Sequence, residues 1–178
     1  MVRGALASVL FLAFFALYLN TAHPVYKNND SPGITAVSYI LGVGHPPGYP
    51  LFTMMGKAAM LVPAGNPAFR LNLLSSVLAL LALALFYGVL REVLRKFNGA
   101  GLPAALIFTA LLGISQAFWS QAIEAKGGIY MLNLVFLASL FITSMRLFKA
   151  PGVKWLYLHI FIFCLSLSNH WPSMLVFA

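Results

Sequence analysis

The sequence predicts an all-α polytopic membrane protein, a helical bundle whose long first outer loop carries short interfacial helices. Three observations predict it. Of the 178 residues, 61% are hydrophobic and 8% are charged, whereas soluble domains carry about a quarter charged residues. The chain therefore lacks the side chains to cover a water-facing surface, and its mean hydropathy is +0.90. Its apolar residues also fall into runs separated by short polar links, and a helix needs about 20 residues to cross the hydrocarbon layer.

Taken in order, the runs predict spans at about 4–20, 71–90, 102–119, 129–145 and 155–171, all in one membrane domain, 1–178. The first, Ala5 to Leu19 behind Arg3, fits either a signal peptide or an uncleaved span; the weak cleavage pattern at Asn20-Thr21-Ala22 favours the span. The fifth ends at Asn169-His170-Trp171-Pro172, read as an outer end and a turn. Ser173 to Ala178 is almost wholly apolar and lacks a flanking charge, so the chain is expected to be an N-terminal fragment, with a sixth span beginning there.

Residues 21–70 form the outer loop. Ser31-Pro32 reads as a helix start, with serine as N-cap and proline in the first turn. Ile34, Val37 and Leu41 then recur at helical spacing as the apolar face of a short helix lying in the interface. The run His45-Pro46-Pro47-Gly48-Tyr49-Pro50 breaks it. A second short helix, Leu51 to Leu61, carries Lys57 and ends before Pro63 and Gly65-Asn66-Pro67.

The net charge is +8 and the pI about 9.9. With the N-terminus in the cytoplasm, Arg3, Arg91, Arg95, Lys96, Arg146, Lys149 and Lys154 lie inside, and Lys27, Lys57, Arg70 and Lys126 outside. That split obeys the positive-inside rule. No basic helix or RNA-binding strand accompanies the charge, so nucleic acid is not an expected partner. The orientation places Asp30, Glu124, His45, Arg70, Lys126 and His170 on the outer face and leaves Glu92 as the cytoplasmic acid. Ionisable groups at membrane depth are functional candidates, although loops are also where polar residues must go.

Each candidate has a plainer alternative. Asp30 could act as general base toward a hydroxyl, or could cap the helix beside Ser31. The proline-rich loop could hold His45 and Tyr49 rigidly, or simply join two helices. Arg70 could bind a lipid phosphate through its planar fork, or could snorkel to the headgroups. Glu124 and Lys126 could pair with each other or face a cavity. Trp119, Tyr130 and Trp171 read as interface-belt aromatics, His159 as a helix-packing residue, and Cys164, the single cysteine, as a packing or lipid-facing residue. The histidines have no ligand-like spacing and no cysteine pair exists, so no metal or cofactor is expected.

Several stretches together resemble a known family. They are Asn29-Asp30-Ser31-Pro32, Tyr39-x-Leu41-Gly42-x-x-His45-Pro46-Pro47-Gly48-Tyr49-Pro50-Leu51-Phe52, Gly56-Lys57, Gly65-Asn66-Pro67-Ala68-x-Arg70-Leu71-Asn72, Phe118-Trp119-Ser120-Gln121-Ala122-x-Glu124 and Tyr130-x-Leu132-Asn133. They are similar to a bacterial multi-span membrane family of formerly unassigned function, whose eukaryotic relative is a transmembrane protein O-mannosyltransferase. The resemblance implies a GT-C-type glycosyltransferase that takes sugar from a polyprenyl-phosphate carrier on the outer face and passes it to a hydroxyl acceptor such as protein. It implies that Asp30, the first-loop acid, is catalytic. His45, Tyr49, Lys57, Arg70, Glu124, Lys126 and His170 are the expected substrate-binding residues, Arg70, Lys57 and Lys126 being those suited to the leaving phosphate. Many members carry a glutamate where this chain has Gly33, and Lys126-Gly127-Gly128 lengthens the link before Tyr130. The implied setting is a bacterial plasma membrane with a cytoplasmic N-terminus. A non-enzymatic lipid-carrier-binding or transport component, and a structural subunit without a ligand, remain as rivals.

Overall fold

A computed structural model describes residues 2–27, 30–96 and 101–175. Asn28 and Asn29 of the first-loop motif, and Val176–Ala178 of the expected sixth span, lie outside the described residues. The described residues form eight α-helices and no strand: α1 (Val2–Thr21), α2 (Ser31–Ile40), α3 (Pro50–Ala59), α4 (Pro67–Val93), α5 (Gly101–Ile114), α6 (Gln116–Ala122), α7 (Gly127–Lys149) and α8 (Val153–Leu175), with a 3₁₀ turn, Leu94–Lys96, after α4. The protein is a helical membrane protein. Among the described residues, α4 and α7 are long and apolar enough to cross a bilayer, and α5 with α6 makes a third candidate if the bent pair is one span. The apolar part of α1, Ala5–Thr21, is shorter.

The apolar run expected as the span 102–119 is bent, α5 and α6 meeting at 64°. The break falls at Ser115, whose extended backbone and hydroxyl cap α6 by accepting from Phe118 N–H at 3.4 Å. The predicted turn at 169–172 is instead a break inside α8, which resumes as far as Leu175. His170 has non-helical angles (φ −137°, ψ 78°) two residues before Pro172. A proline ring cannot donate a helix hydrogen bond and clashes with the carbonyl four residues back.

α4 and α7 pack most closely, α8 lies on α7, and α1 runs along α4. Small residues permit the close approaches: a Cβ on Gly128 would strike Phe52 and Ser75, and one on Gly56 would strike Ser38. Polar pairs fix the register. Asn169 Nδ2 donates to Asn133 Oδ1 (2.7 Å) and Ile129 O (2.9 Å) between α8 and α7, and His159 meets Thr143 at 2.8 Å. Large apolar side chains such as Leu12, Phe15, Leu81, Phe108, Phe141 and Phe161 point outward, as lipid-facing positions require.

The first loop folds back over the bundle end. Tyr18 donates to Gly113 O (2.7 Å), and Trp119 Nε1, predicted as a belt residue, donates to Thr21 Oγ1 (3.0 Å). Asn72 Nδ2 holds His23 O at 2.6 Å. Asn66 caps α4 by accepting from Phe69 N–H (2.9 Å) and donates to Pro24 O. α2 corrects the predicted amphipathic face. Ser31, Ile34, Thr35 and Ser38 are buried, while Leu41 is exposed and Val37 half-buried. Small hydroxyl residues let α2 press against α3 and the bundle, and in lipid an outward apolar side chain carries no penalty.

Candidate functional site

One end of the bundle collects the start of α2, the Tyr49 turn before α3, the α6–α7 link and the break in α8. Asp30 occupies the N-cap position of α2, yet its side chain makes no capping hydrogen bond. It pairs instead with Lys126 Nζ. Of the two alternatives for Glu124 and Lys126, they do not pair with each other; Lys126 reaches across to the first loop. Its backbone N–H also meets Ser31 Oγ at 3.4 Å, anchoring the link to the start of α2.

The pair is half-buried, the Asp30 side chain being 40% exposed and that of Lys126 28%. The hydrogen bond from Lys126, and then its charge, hold the Asp30 carboxyl below the usual carboxylate range; His45 adds to this and burial opposes it. The same hydrogen bond raises Lys126. Both groups are therefore ionised at neutral pH.

Four rings stand beside the pair. His45 and Tyr49 meet edge to face (centroids 5.8 Å, 88°), Tyr49 stacks on His170 (5.7 Å, 7°), and His170 tilts against Tyr130 (6.1 Å, 59°). Burial, then the charge of Tyr130, raises the Tyr49 hydroxyl, with Lys126 and Asp30 also within electrostatic reach. Tyr49 is held with left-handed backbone (φ 48°) next to Gly48 (φ 97°). A non-glycine residue adopts that conformation at a cost of roughly 1 kcal/mol or more, and does so where the surroundings impose it. The break in α8 turns His170 toward Tyr49, and Ser173 N–H and Oγ approach its Nδ1 at 3.3 and 2.5 Å.

The structure thus brings Asp30, His45, Tyr49, Lys126 and His170 together and adds Tyr130, which the sequence reading assigned to the interface belt. The other candidates lie elsewhere. Arg70 spends its guanidinium on backbone carbonyls of the α3–α4 turn: Met60 (2.7 Å), Ala64 (3.0 Å) and Gly65 (3.2 Å). Lys57 donates to Tyr39 O (2.6 Å) at the end of α2 and lies over the Tyr39 ring. Glu124 is 7% exposed and influences His23, whose Nε2 is buried without a hydrogen-bond partner among the described residues. Burial, then Lys27, lowers the His23 pKa, against the pull of Glu124.

Among the described residues, one cavity adjoins this arrangement and a larger one lies farther along α4 and α7. One, of about 100 Å³, lies between α2 and α3 and is lined by Gly33, Ile34, Val37, His45, Tyr49 and Thr53 among others. The second, of about 460 Å³, lies among α4, α5, α6 and α7 against apolar side chains including Phe86, Phe118 and Phe141.

A paired carboxylate beside a ring platform suits proton abstraction from a hydroxyl and the binding of a flat, partly apolar ligand. No solved structure matches the chain significantly. The chain is 33% identical over 154 residues to the protein O-mannosyl-transferase TMEM260 of Mus musculus, covering 85% of this chain and 20% of that one. It is 28% identical over 149 residues to protein O-mannosyl-transferase tmem260 of Dictyostelium discoideum, covering 79% of this chain and 17% of that one. The chain thus spans about a fifth of the length of the curated relatives it matches. A family model described as the protein O-mannosyl-transferase TMEM260 N-terminal domain matches residues 30–178, from the paired aspartate to the last residue, and the chain belongs to that family.

Proposed function

We propose that the chain carries the acid–base centre of a GT-C-type membrane glycosyltransferase, which moves a sugar from a polyprenyl-phosphate carrier to an acceptor hydroxyl. The names of its relatives make mannose the favoured sugar and protein the favoured acceptor. The observation that supports this most is the Asp30–Lys126 pair beside Tyr49, His170 and Tyr130.

Asp30 accepts the proton of the acceptor hydroxyl. The acceptor oxygen forms a bond to the anomeric carbon as the bond from that carbon to the phosphate oxygen breaks, and the polyprenyl phosphate leaves with the electron pair. Lys126 shifts from Asp30 to that phosphate, neutralising the developing charge. Losing its lysine returns Asp30 toward ordinary basicity as the donor arrives, so the base is strengthened when it is needed. The same reading keeps the N-terminus cytoplasmic and the site on the outer face of a bacterial plasma membrane.

The apolar cavity among α4, α5, α6 and α7 also suits a second reading, a component that binds the lipid carrier without chemistry. Membranes containing the full-length protein, given a polyprenyl-phosphate-linked sugar and a hydroxyl peptide, separate the two. Asp30→Asn is expected to abolish transfer while carrier binding persists. Full transfer by Asp30→Asn would overturn the catalytic assignment.

A further inference from the structure

The small cavity between α2 and α3 is not used by the carboxylate–lysine pair, and its position limits what it can hold. Gly33, Ile34 and Val37 form one wall. At roughly 100° per residue, these three share one face of α2, and Ser31 lies about 110° around from the middle of that face. Ser31 Oγ is where the backbone N–H of Lys126 meets α2. The α6–α7 link that carries Lys126 therefore meets one side of α2, and the cavity opens on another. In an in-line displacement the nucleophile and leaving group occupy opposite sides of the reacting carbon. With Lys126 facing the leaving phosphate, a cavity on a different side of α2, lined by His45 and Tyr49, is left for the acceptor.

Size and lining narrow the occupant further. An engineered cavity of about 150 Å³ takes a benzene, so about 100 Å³ suits a group of a few carbon atoms better than a whole hexose. Ile34, Val37, Val43 and Phe52 make most of the lining apolar, and His45 and Tyr49 stand among the lining residues. Gly33 is exposed at the cavity, and a Cβ added there would have no atom within 4 Å. Its lack of a side chain leaves the space open at no structural cost.

We infer that the α2–α3 cavity is an acceptor subsite that takes a small apolar side chain neighbouring the reacting hydroxyl, with Gly33 setting the size it admits. This rests on the transferase reading and adds acceptor selectivity to it.

The test uses the full-length protein in membranes, a short-chain polyprenyl phosphomannose, and peptides with one serine or threonine flanked by alanine, valine, leucine or phenylalanine. Gly33→Leu is expected to raise KM for the valine- and leucine-flanked peptides about tenfold, to spare the alanine-flanked peptide, and to leave KM for the donor within twofold. Val37→Ala, which enlarges the same cavity, is expected to shift preference toward phenylalanine-flanked peptides. A rise in donor KM with unchanged peptide selectivity would assign the cavity to the donor and overturn the inference. Unaltered selectivity in both variants would overturn it as well. Asp30→Asn, assayed alongside, reports on the transferase reading separately: if it transfers normally, that reading fails whatever Gly33→Leu does.

Discussion

Asp30 and Glu92 are alike in almost every local respect. Each is a carboxylate paired with a lysine, Lys126 for the first and Lys149 for the second. Each is held below the usual carboxylate range mainly by the lysine's hydrogen bond. Their side chains are similarly exposed, 40% and 34%. Lys126 immediately precedes α7 and Lys149 ends it, so the two pairs stand roughly 35 Å apart at opposite ends of one helix. What differs is the company. Glu92 has Arg95 at 4.0 Å and Arg146 in reach, so its immediate company is further charge. Asp30 has four rings and a cavity. A charge pair alone does not make a site; groups that can orient a substrate beside it do.

The largest expected effect breaks this comparison outright. Asp30→Asn should lower transfer by at least about 100-fold, the range of a lost general base, while Glu92→Gln should change it less than twofold, as exposed pairs contribute little. Radiolabelled sugar transfer in membranes measures both. Next, Tyr49→Ala should lower kcat/KM about tenfold, since it removes the ring that links His45 to His170; Tyr49→Phe should retain most of it, and steady-state kinetics with both variants separate ring from hydroxyl.

Lys126→Met sharpens the electrostatic part. Lys126 holds Asp30 down, so removing it raises the Asp30 pKa, and the acid limb of the kcat/KM profile should move to higher pH. The corresponding stability term has the sign of a depressed carboxylate: present above the unfolded pKa and lost as pH falls through the folded one. Both pairs share that sign, so acid unfolding should not distinguish them, whereas the activity profile should. The smallest effect on activity is expected from Arg70→Ala. Its three carbonyl partners make it a brace of the α3–α4 turn, and its loss should cost about 2 kcal/mol of stability, read by thermal denaturation in detergent, with donor KM little changed.

The fold class was legible because charge scarcity and run length are properties of composition. The helix breaks were not. The run 102–119 is apolar on both sides of Ser115, and the cap that bends it by 64° is a single hydroxyl. Asp30, His45, Lys126 and His170 share one expected face by topology, Tyr49 stands out through the proline-rich loop, and the structure places the five at one end of the bundle. Arg70 and Lys57 suit a phosphate by their chemistry, but that chemistry does not reveal which backbone carbonyls need a donor. An aromatic at a span's end has a ready explanation in the interface belt, which hides Tyr130; only the break in α8 puts His170 against it. Glu124 sits two residues from Lys126, but it is buried on the His23 side of the link, a difference of orientation that spacing alone does not encode.

The proposed chemistry belongs to the Asp30 end of α7 and not to its twin at Glu92. The most direct measurement is sugar transfer by Asp30→Asn and Glu92→Gln in the full-length protein, at matched expression and in the same membranes. Loss of at least about 100-fold in the first with near-normal transfer in the second is the predicted result. Normal transfer by Asp30→Asn, or an equal loss in both, would contradict it.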